Sequence, residues 1–204
     1  GNTRRFGASS EKIEQVVNVR DGEIMFGLNM VVHKGKTIFV GDTSVHEYPT
    51  SEQMAEIAIS TARVVRLFGF EPKVAFVSHS TFGQPLTSRT KHIRKAVDIL
   101  KDKKVNFEFD GDMQPDVALN SEYEELYPFS KIVGKANILI MPGQHSAAIS
   151  YKMMKTLGDT KVIGPLLIGL GLPIEIAPLR SSTSELINLA SIAAYSADII
   201  DYKK

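Results

Sequence analysis

Cysteine and tryptophan are absent from this chain of 204 residues, aromatic residues make up only 8% of it, and net charge is nearly absent too. Without cysteine there are no disulfides, no thiolate-held zinc and no thiol nucleophile, although this alone does not identify the redox compartment. The 24 basic and 23 acidic side chains are interspersed and leave a net charge of +1, so no field gathers nucleic acid. No apolar run approaches the roughly 20 residues that span a bilayer. The opening Gly1-Asn2-Thr3-Arg4-Arg5 lacks the apolar core of a signal peptide, and a cytoplasmic protein is expected. The chain also starts without Met, as an excised fragment would.

Several motifs are missing as well. The five histidines, His33, His46, His79, His92 and His145, never fall at the i, i+4 spacing of a metal pair. No Gly-x-Gly-x-x-Gly follows a strand and there is no Gly-x-x-x-x-Gly-Lys loop, which disfavours dinucleotide and P-loop sites.

What remains is 43% apolar and 23% charged, enough for one substantial core or for two small lobes sharing a cleft. Two β-branched runs between residues 23 and 43 flank His33-Lys34-Gly35-Lys36 and read as a hairpin. Thr50 with Gln53 forms a capping box, and Met54, Ile57, Ala58, Ala62, Val65 and Phe68 make the apolar stripe of the helix it starts. Val74-Ala75-Phe76-Val77 reads as a strand buried on both faces, followed by a polar loop and a helix over 88–103. Residues 106–109 and 137–141 read as further strands, the first ending in an Asp110-Gly111-Asp112 turn, the second leading to a helix over 146–157. Short strands are expected at 162–163 and 174–176, then a long helix over 182–201 that is apolar on more than one face and suited to an interface. Alternating strands and helices predict an α/β domain: a mainly parallel sheet, helices on both faces and an added β-hairpin.

In such sheets ligands bind beyond the carboxyl ends of the strands. Three loops qualify. Ser78-His79-Ser80-Thr81-Phe82-Gly83-Gln84 can cradle a phosphate or carboxylate, or can simply connect and cap. Pro142-Gly143-Gln144-His145-Ser146 enters the helix that carries Tyr151 and Lys152; His145 can act as acid or base, or as a cap. Ile163-Gly164-Pro165-Leu166 allows close approach of backbone to a ligand, or makes a tight turn. Asp110 and Asp112 look like a metal pair but read better as an N-cap.

Nine segments occur in an order that resembles the phosphate acetyltransferase family over nearly the whole chain: Asp42-Thr43-Ser44-Val45, Pro49-Thr50, Val77-Ser78-His79-Ser80-Thr81-Phe82-Gly83, Phe109-Asp110-Gly111-Asp112, Asp116-Val117-Ala118-Leu119, Gly134-Lys135-Ala136-Asn137-Ile138-Leu139-Ile140-Met141-Pro142, Ile149-Ser150-Tyr151-Lys152, Ile163-Gly164-Pro165-Leu166 and Ile187-Asn188. The wording of Val45-His46-Glu47-Tyr48-Pro49-Thr50 and Pro142-Gly143-Gln144-His145-Ser146-Ala147 is most similar to the acetyltransferase-like tail of NADP-dependent hybrid malic enzymes.

The resemblance implies one truncated domain over 1–204, of the two-lobed phosphate acetyltransferase-like (isocitrate/isopropylmalate dehydrogenase-like) architecture, with the family's first segment missing. It implies acetyl-CoA as an allosteric ligand, with Ser80, Thr81, Tyr151, Lys152, Gly164 and Pro165 as contacts. It also implies self-association through the C-terminal helix and a malic catalytic domain in the same polypeptide that binds NADP and a divalent metal and converts malate to pyruvate. Family members that transfer acetyl between phosphate and coenzyme A use arginines and an aspartate. Here Leu179 stands at one arginine position, Glu185 at the aspartate position and Glu11 at a second arginine position, so no catalytic residue is expected. An active transferase is the alternative, with Arg180 replacing the lost charge. Glu185 also completes a capping box with Ser182.

Overall fold

A computed structural model describes the backbone of residues 6–201, with side chains described for 9, 10 and 12–197. After a first helix, α1 (Phe6–Glu14), the hairpin forms as β1 (Phe26–His33) and β2 (Lys36–Gly41), with His33 opposite Lys36 across the turn. Then follow α2 (Ser51–Leu67), β3 (Lys73–Val77), α3 (Ser88–Asp102), β4 (Glu108–Met113), α4 (Pro115–Leu119), a short 3-10 turn, β5 (Ile138–Ile140), α5 (Gln144–Leu157), β6 (Thr160–Ile168) and α6 (Thr183–Asp201).

The six strands make one sheet in the order β4-β3-β5-β2-β1-β6. Only β1 runs against its neighbours; the pairings of β2 with β5, β5 with β3 and β3 with β4 are parallel. The sheet is thus mixed and mostly parallel. Period-two alternation sends the residues of each strand to two cores. Val74 and Phe76, with Phe26, Leu28 and Phe39, pack against Met54, Ile57 and Val65 of α2 and Ile93 and Leu100 of α3. Ala75 and Val77, with Val31, Val40 and Leu139, face Val117 and Ala118 of α4 and Ala147 of α5. Thr50 caps α2 as expected: its hydroxyl accepts from Gln53 N–H, and the Gln53 side chain accepts from Thr50 N–H.

Three expectations change. Asp110-Gly111-Asp112 is not a turn but the second half of β4, and Gln114 is the residue that precedes α4. The glycine serves strand packing, because a Cβ at Gly111 would lie 2.7 Å from the Phe76 carbonyl oxygen. The strand foreseen at 162–163 runs for nine residues and continues through Gly164 and Pro165. The strand foreseen at 174–176 reduces to a single bridge between Glu175 and Leu166.

Two buried carboxylates fix the loops at the carboxyl edge. Asp42, 1% exposed, accepts the N–H groups of Gly27 (2.9 Å), Ser44 (2.8 Å), Val45 (3.2 Å) and His46 (2.7 Å), while His46 Nδ1 lies 2.7 Å from Oδ2. An ionised carboxylate only accepts, so that imidazole nitrogen carries the hydrogen. Asp112, fully buried, accepts from the Ser80 hydroxyl and from Gly83 N–H at 3.0 Å, with the Arg94 guanidinium 3.7 Å away.

Replacing Asp42 by Ala leaves several buried N–H groups without an acceptor, each costing about 1–3 kcal/mol. Asp42→Ala is expected to lose at least ~3 kcal/mol in urea denaturation; a loss under about 1 kcal/mol would contradict this account.

Glu175 gives a pH-dependent term. Burial drives its carboxyl from 4.5 up to about 8, against a weaker opposing effect of the hydrogen bond it accepts from Leu167 N–H. Between those values the unfolded chain has lost the proton and the folded chain keeps it. Stability therefore falls as pH rises through this window, by up to about 1.4 kcal/mol per pH unit, and levels off above it. Glu175→Gln, which keeps an acceptor without the charge, should flatten this slope when melting is followed from pH 5 to pH 9.

Candidate functional site

The Asp42 carboxylate holds the chain after β2 so that Thr43 and Ser44 reach the rim of a cleft of about 490 Å³. Tyr151, Lys152 and Lys155 face it from α5, the first two lying four and three residues before Lys155 and so on its side of the helix. Gly164 and Pro165 of β6 line its floor; Leu179, Arg180 and Ser181 come from the turn before α6, and Glu185 and Asn188 from α6 itself. A register shift between Leu28 and Met30 leaves Asn29 beside the Gly164-Pro165 step. Gly164 has φ of +121°, and a Cβ there would come within 2.7 Å of Asn29 Oδ1. Glycine is needed because β6 passes the buried amide closely.

The charges around the cleft are partly committed to each other. Glu185 Oε1 is 2.9 Å from Lys155 Nζ, and Glu185 Oε2 accepts from Ser182 N–H at 2.7 Å and from the Ser182 hydroxyl at 3.0 Å. Glu185 N–H donates back to Ser182 Oγ at 3.2 Å, which completes the expected capping box. Lys155 first, then Ser182, holds this carboxyl down at about 2. A general base works best with a pKa near the operating pH, so Glu185 is poorly matched to that task. Leu179 leaves an apolar side chain, 76% exposed, in the cleft wall.

Neutral donors supply a different chemistry. The hydroxyls of Ser44 and Ser181 are buried in the lining and have no hydrogen-bond partner. Ser44 Oγ lies against Gly27, and a ligand that draws these side chains round to the cleft would relieve the desolvation cost of the unpaired hydroxyls. Asn29, also fully buried, lacks a partner of normal hydrogen-bond geometry for its amide. Burial raises the Tyr151 phenol above its ordinary pKa, and Asn29 and Lys155 oppose that rise.

Of the six expected contacts, the fold gathers Tyr151, Lys152, Gly164 and Pro165 in this cleft, together with Leu179 and Glu185. Ser80 and Thr81 are elsewhere. The Ser80 hydroxyl is spent on buried Asp112, and Thr81 Oγ accepts from Gln114 N–H at 3.2 Å. The Glu11 side chain lies outside the described residues. His145 does not cap α5, whose N-cap is Gly143; its Nε2 meets Glu47 Oε1 at 2.9 Å in a separate cleft of about 530 Å³ that also holds His79 and Arg89. Thr43, Ser44, Ser181 and Asn188 had no assigned role in the sequence. The signal for the first two was present, since Asp42-Thr43-Ser44 directly follows a buried strand and reaches the sheet's carboxyl edge. Among the described residues, no group of three or more His, Asp or Glu could hold a metal ion, and no helix is long and apolar enough to cross a membrane.

Known proteins match along most of this chain. An NADP-dependent malic enzyme of Rhizobium meliloti (strain 1021) is 44% identical over 197 residues, which is 97% of this chain and 26% of the relative. A phosphate acetyltransferase of Bacillus subtilis (strain 168) is 32% identical over 90% of this chain and 57% of its own length. This chain therefore spans about a quarter of the malic enzyme and a little over half of the transferase. The solved structure of a phosphotransacetylase from Streptococcus pyogenes superposes with a TM-score of 0.90 at 28% identity, covering 97% of this chain and 61% of that one. A family model described as phosphate acetyl/butaryl transferase matches residues 2–194, and with so nearly the full length accounted for, the chain belongs to that family.

Proposed function

We propose that this chain is the acetyl-CoA-sensing, oligomerising regulatory domain of a cytoplasmic malic enzyme and is not itself a catalyst. The observation that carries the reading is the wall of the cleft: an apolar Leu179 and a Glu185 held in a capping box and an ion pair, at positions where the family resemblance places a transferase's arginine and aspartate. Loss of one preorganised charge at a transition state costs about 3 kcal/mol, two to three orders of magnitude in rate. Binding needs less. Ser44, Ser181, Tyr151 and Lys152 still offer donors to a thioester and its polar chain. The 44% identity to a malic enzyme four times as long supports a fused catalytic domain, which would hold NADP and a divalent metal and convert malate to pyruvate. Self-association through α6 is part of the proposal; Leu186 and Ile187 on that helix are exposed.

An active phosphate acetyltransferase is the second reading, favoured by Arg180, which also lines the cleft. Isothermal titration with acetyl-CoA, followed in the same preparation by assays of coenzyme A release and acetyl phosphate formation, separates the two. Binding without turnover is the expected result, whereas turnover above background would replace the sensor by the enzyme. Ser44→Ala and Ser181→Ala should each weaken acetyl-CoA about fivefold, the loss of a hydrogen bond of ~1 kcal/mol, with melting temperatures little changed.

A further inference from the structure

A third cavity, of about 310 Å³, opens at the carboxyl end of β6. Its walls are Val64, Leu67 and Phe68 from the last turns of α2, Leu166–Leu170 of β6 and the residues after it, and Ile192 and Tyr195 of α6. The chain before β1 straps its end, with Val19 bridged to Leu170 and Arg20 N–H bonded to the Gly169 carbonyl. None of these residues lines the acetyl-CoA cleft proposed above.

The polar side chains are few: Arg20, Arg63, Glu175, Tyr195 and Ser196. Arg20 and Arg63 line the cavity and share a single carboxylate, Glu23, at 3.7 Å and 2.9 Å. Glu175, the one acid among the residues that line the cavity, is pushed towards its protonated form by burial, up to about 8. Two guanidinium groups thus meet one carboxylate beside an apolar chamber. Small-molecule sites begin at about 300 Å³, so there is room for one short chain and not for a nucleotide.

We propose that this cavity binds a linear aliphatic monocarboxylate, its carboxylate on Arg63 and Arg20 and its chain against Leu67, Phe68, Leu172 and Ile192. The charge decides among amphiphiles. An alkylammonium meets two guanidinium groups, and an alcohol has no charge to pair with them, whereas a carboxylate gains charge-assisted hydrogen bonds. Occupation would join α2, β6 and α6 across one ligand. The inference rests on a different set of residues from the proposed function and stands or falls separately.

The test uses octanoate, octanol and octylammonium as probes of the 204-residue chain, by calorimetry and by amide chemical shifts. Octanoate should bind at least tenfold more tightly than either of the others and shift amides at the end of α2 and along β6. Arg63→Gln should weaken octanoate about tenfold and leave octanol unaffected. Ser196→Trp, which fills the cavity from α6, should abolish octanoate binding and serves if the arginine variant does not fold. Octanoate failing to bind at millimolar concentration, octanol binding equally well, or octanoate affinity indifferent to both substitutions would each overturn the assignment.

Discussion

The fold's functional edge depends on the requirement that a buried carboxylate be surrounded by donors. Asp42 stands at the end of β2, where four backbone N–H groups and an imidazole converge on it. Removing that charge from water is tolerable only with such partners, so the loop 43–48 has little choice of path. Asp112 imposes the same condition at the end of β4, folding residues 80–83 around itself. The two aspartates act as centres about which otherwise irregular chain is ordered. The position of Thr43 and Ser44 at the rim of the cleft follows from where the first of them places the backbone.

Within the cleft, charge is largely internal. Lys155 and Glu185 answer each other across α5 and α6, and Leu179 presents hydrocarbon. The remaining polar groups of the lining are Lys152, Arg180, the Tyr151 phenol, the Asn188 amide and the serine hydroxyls. Neutral donors hold a carbonyl in its ground state and strengthen as it becomes charged, and a fixed positive charge adds a further preference for the charged form that Leu179 cannot supply. That distinction gives the substitutions at 179 and 185 their chemical meaning.

Much of the architecture was legible because it rests on local rules: the capping boxes at Thr50 and Ser182, the hairpin between His33 and Lys36, and the continuous apolar runs of β3 and β5. Failures came where glycine or proline was read as punctuation. At Gly111 and at Gly164-Pro165 the missing or constrained atoms serve close contact between neighbours, with Phe76 and with Asn29, and this is visible only in three dimensions. The same limit applied to Ser80. A hydroxyl after a strand looks available to ligand until the buried acid thirty-two residues later claims it. Tyr151 and Lys152 on α5, and Leu179, Arg180 and Glu185 near the start of α6, were named from loop position and family resemblance; Ser44 and Ser181 were not, since their approach to the cleft depends on tertiary packing.

The Gly164-Pro165 step also bears on how the molecule behaves in a crowd. β6 is the last strand of the sheet, and an exposed edge of unpaired amides invites a second sheet to extend it. Proline withholds one of those amides, and the register shift against β1 bends the strand locally. On its outer side Glu175 already bridges Leu166 and occupies Leu167 N–H. The irregularity that shapes the floor of the cleft therefore also terminates the sheet, protecting the chain against edge-to-edge aggregation.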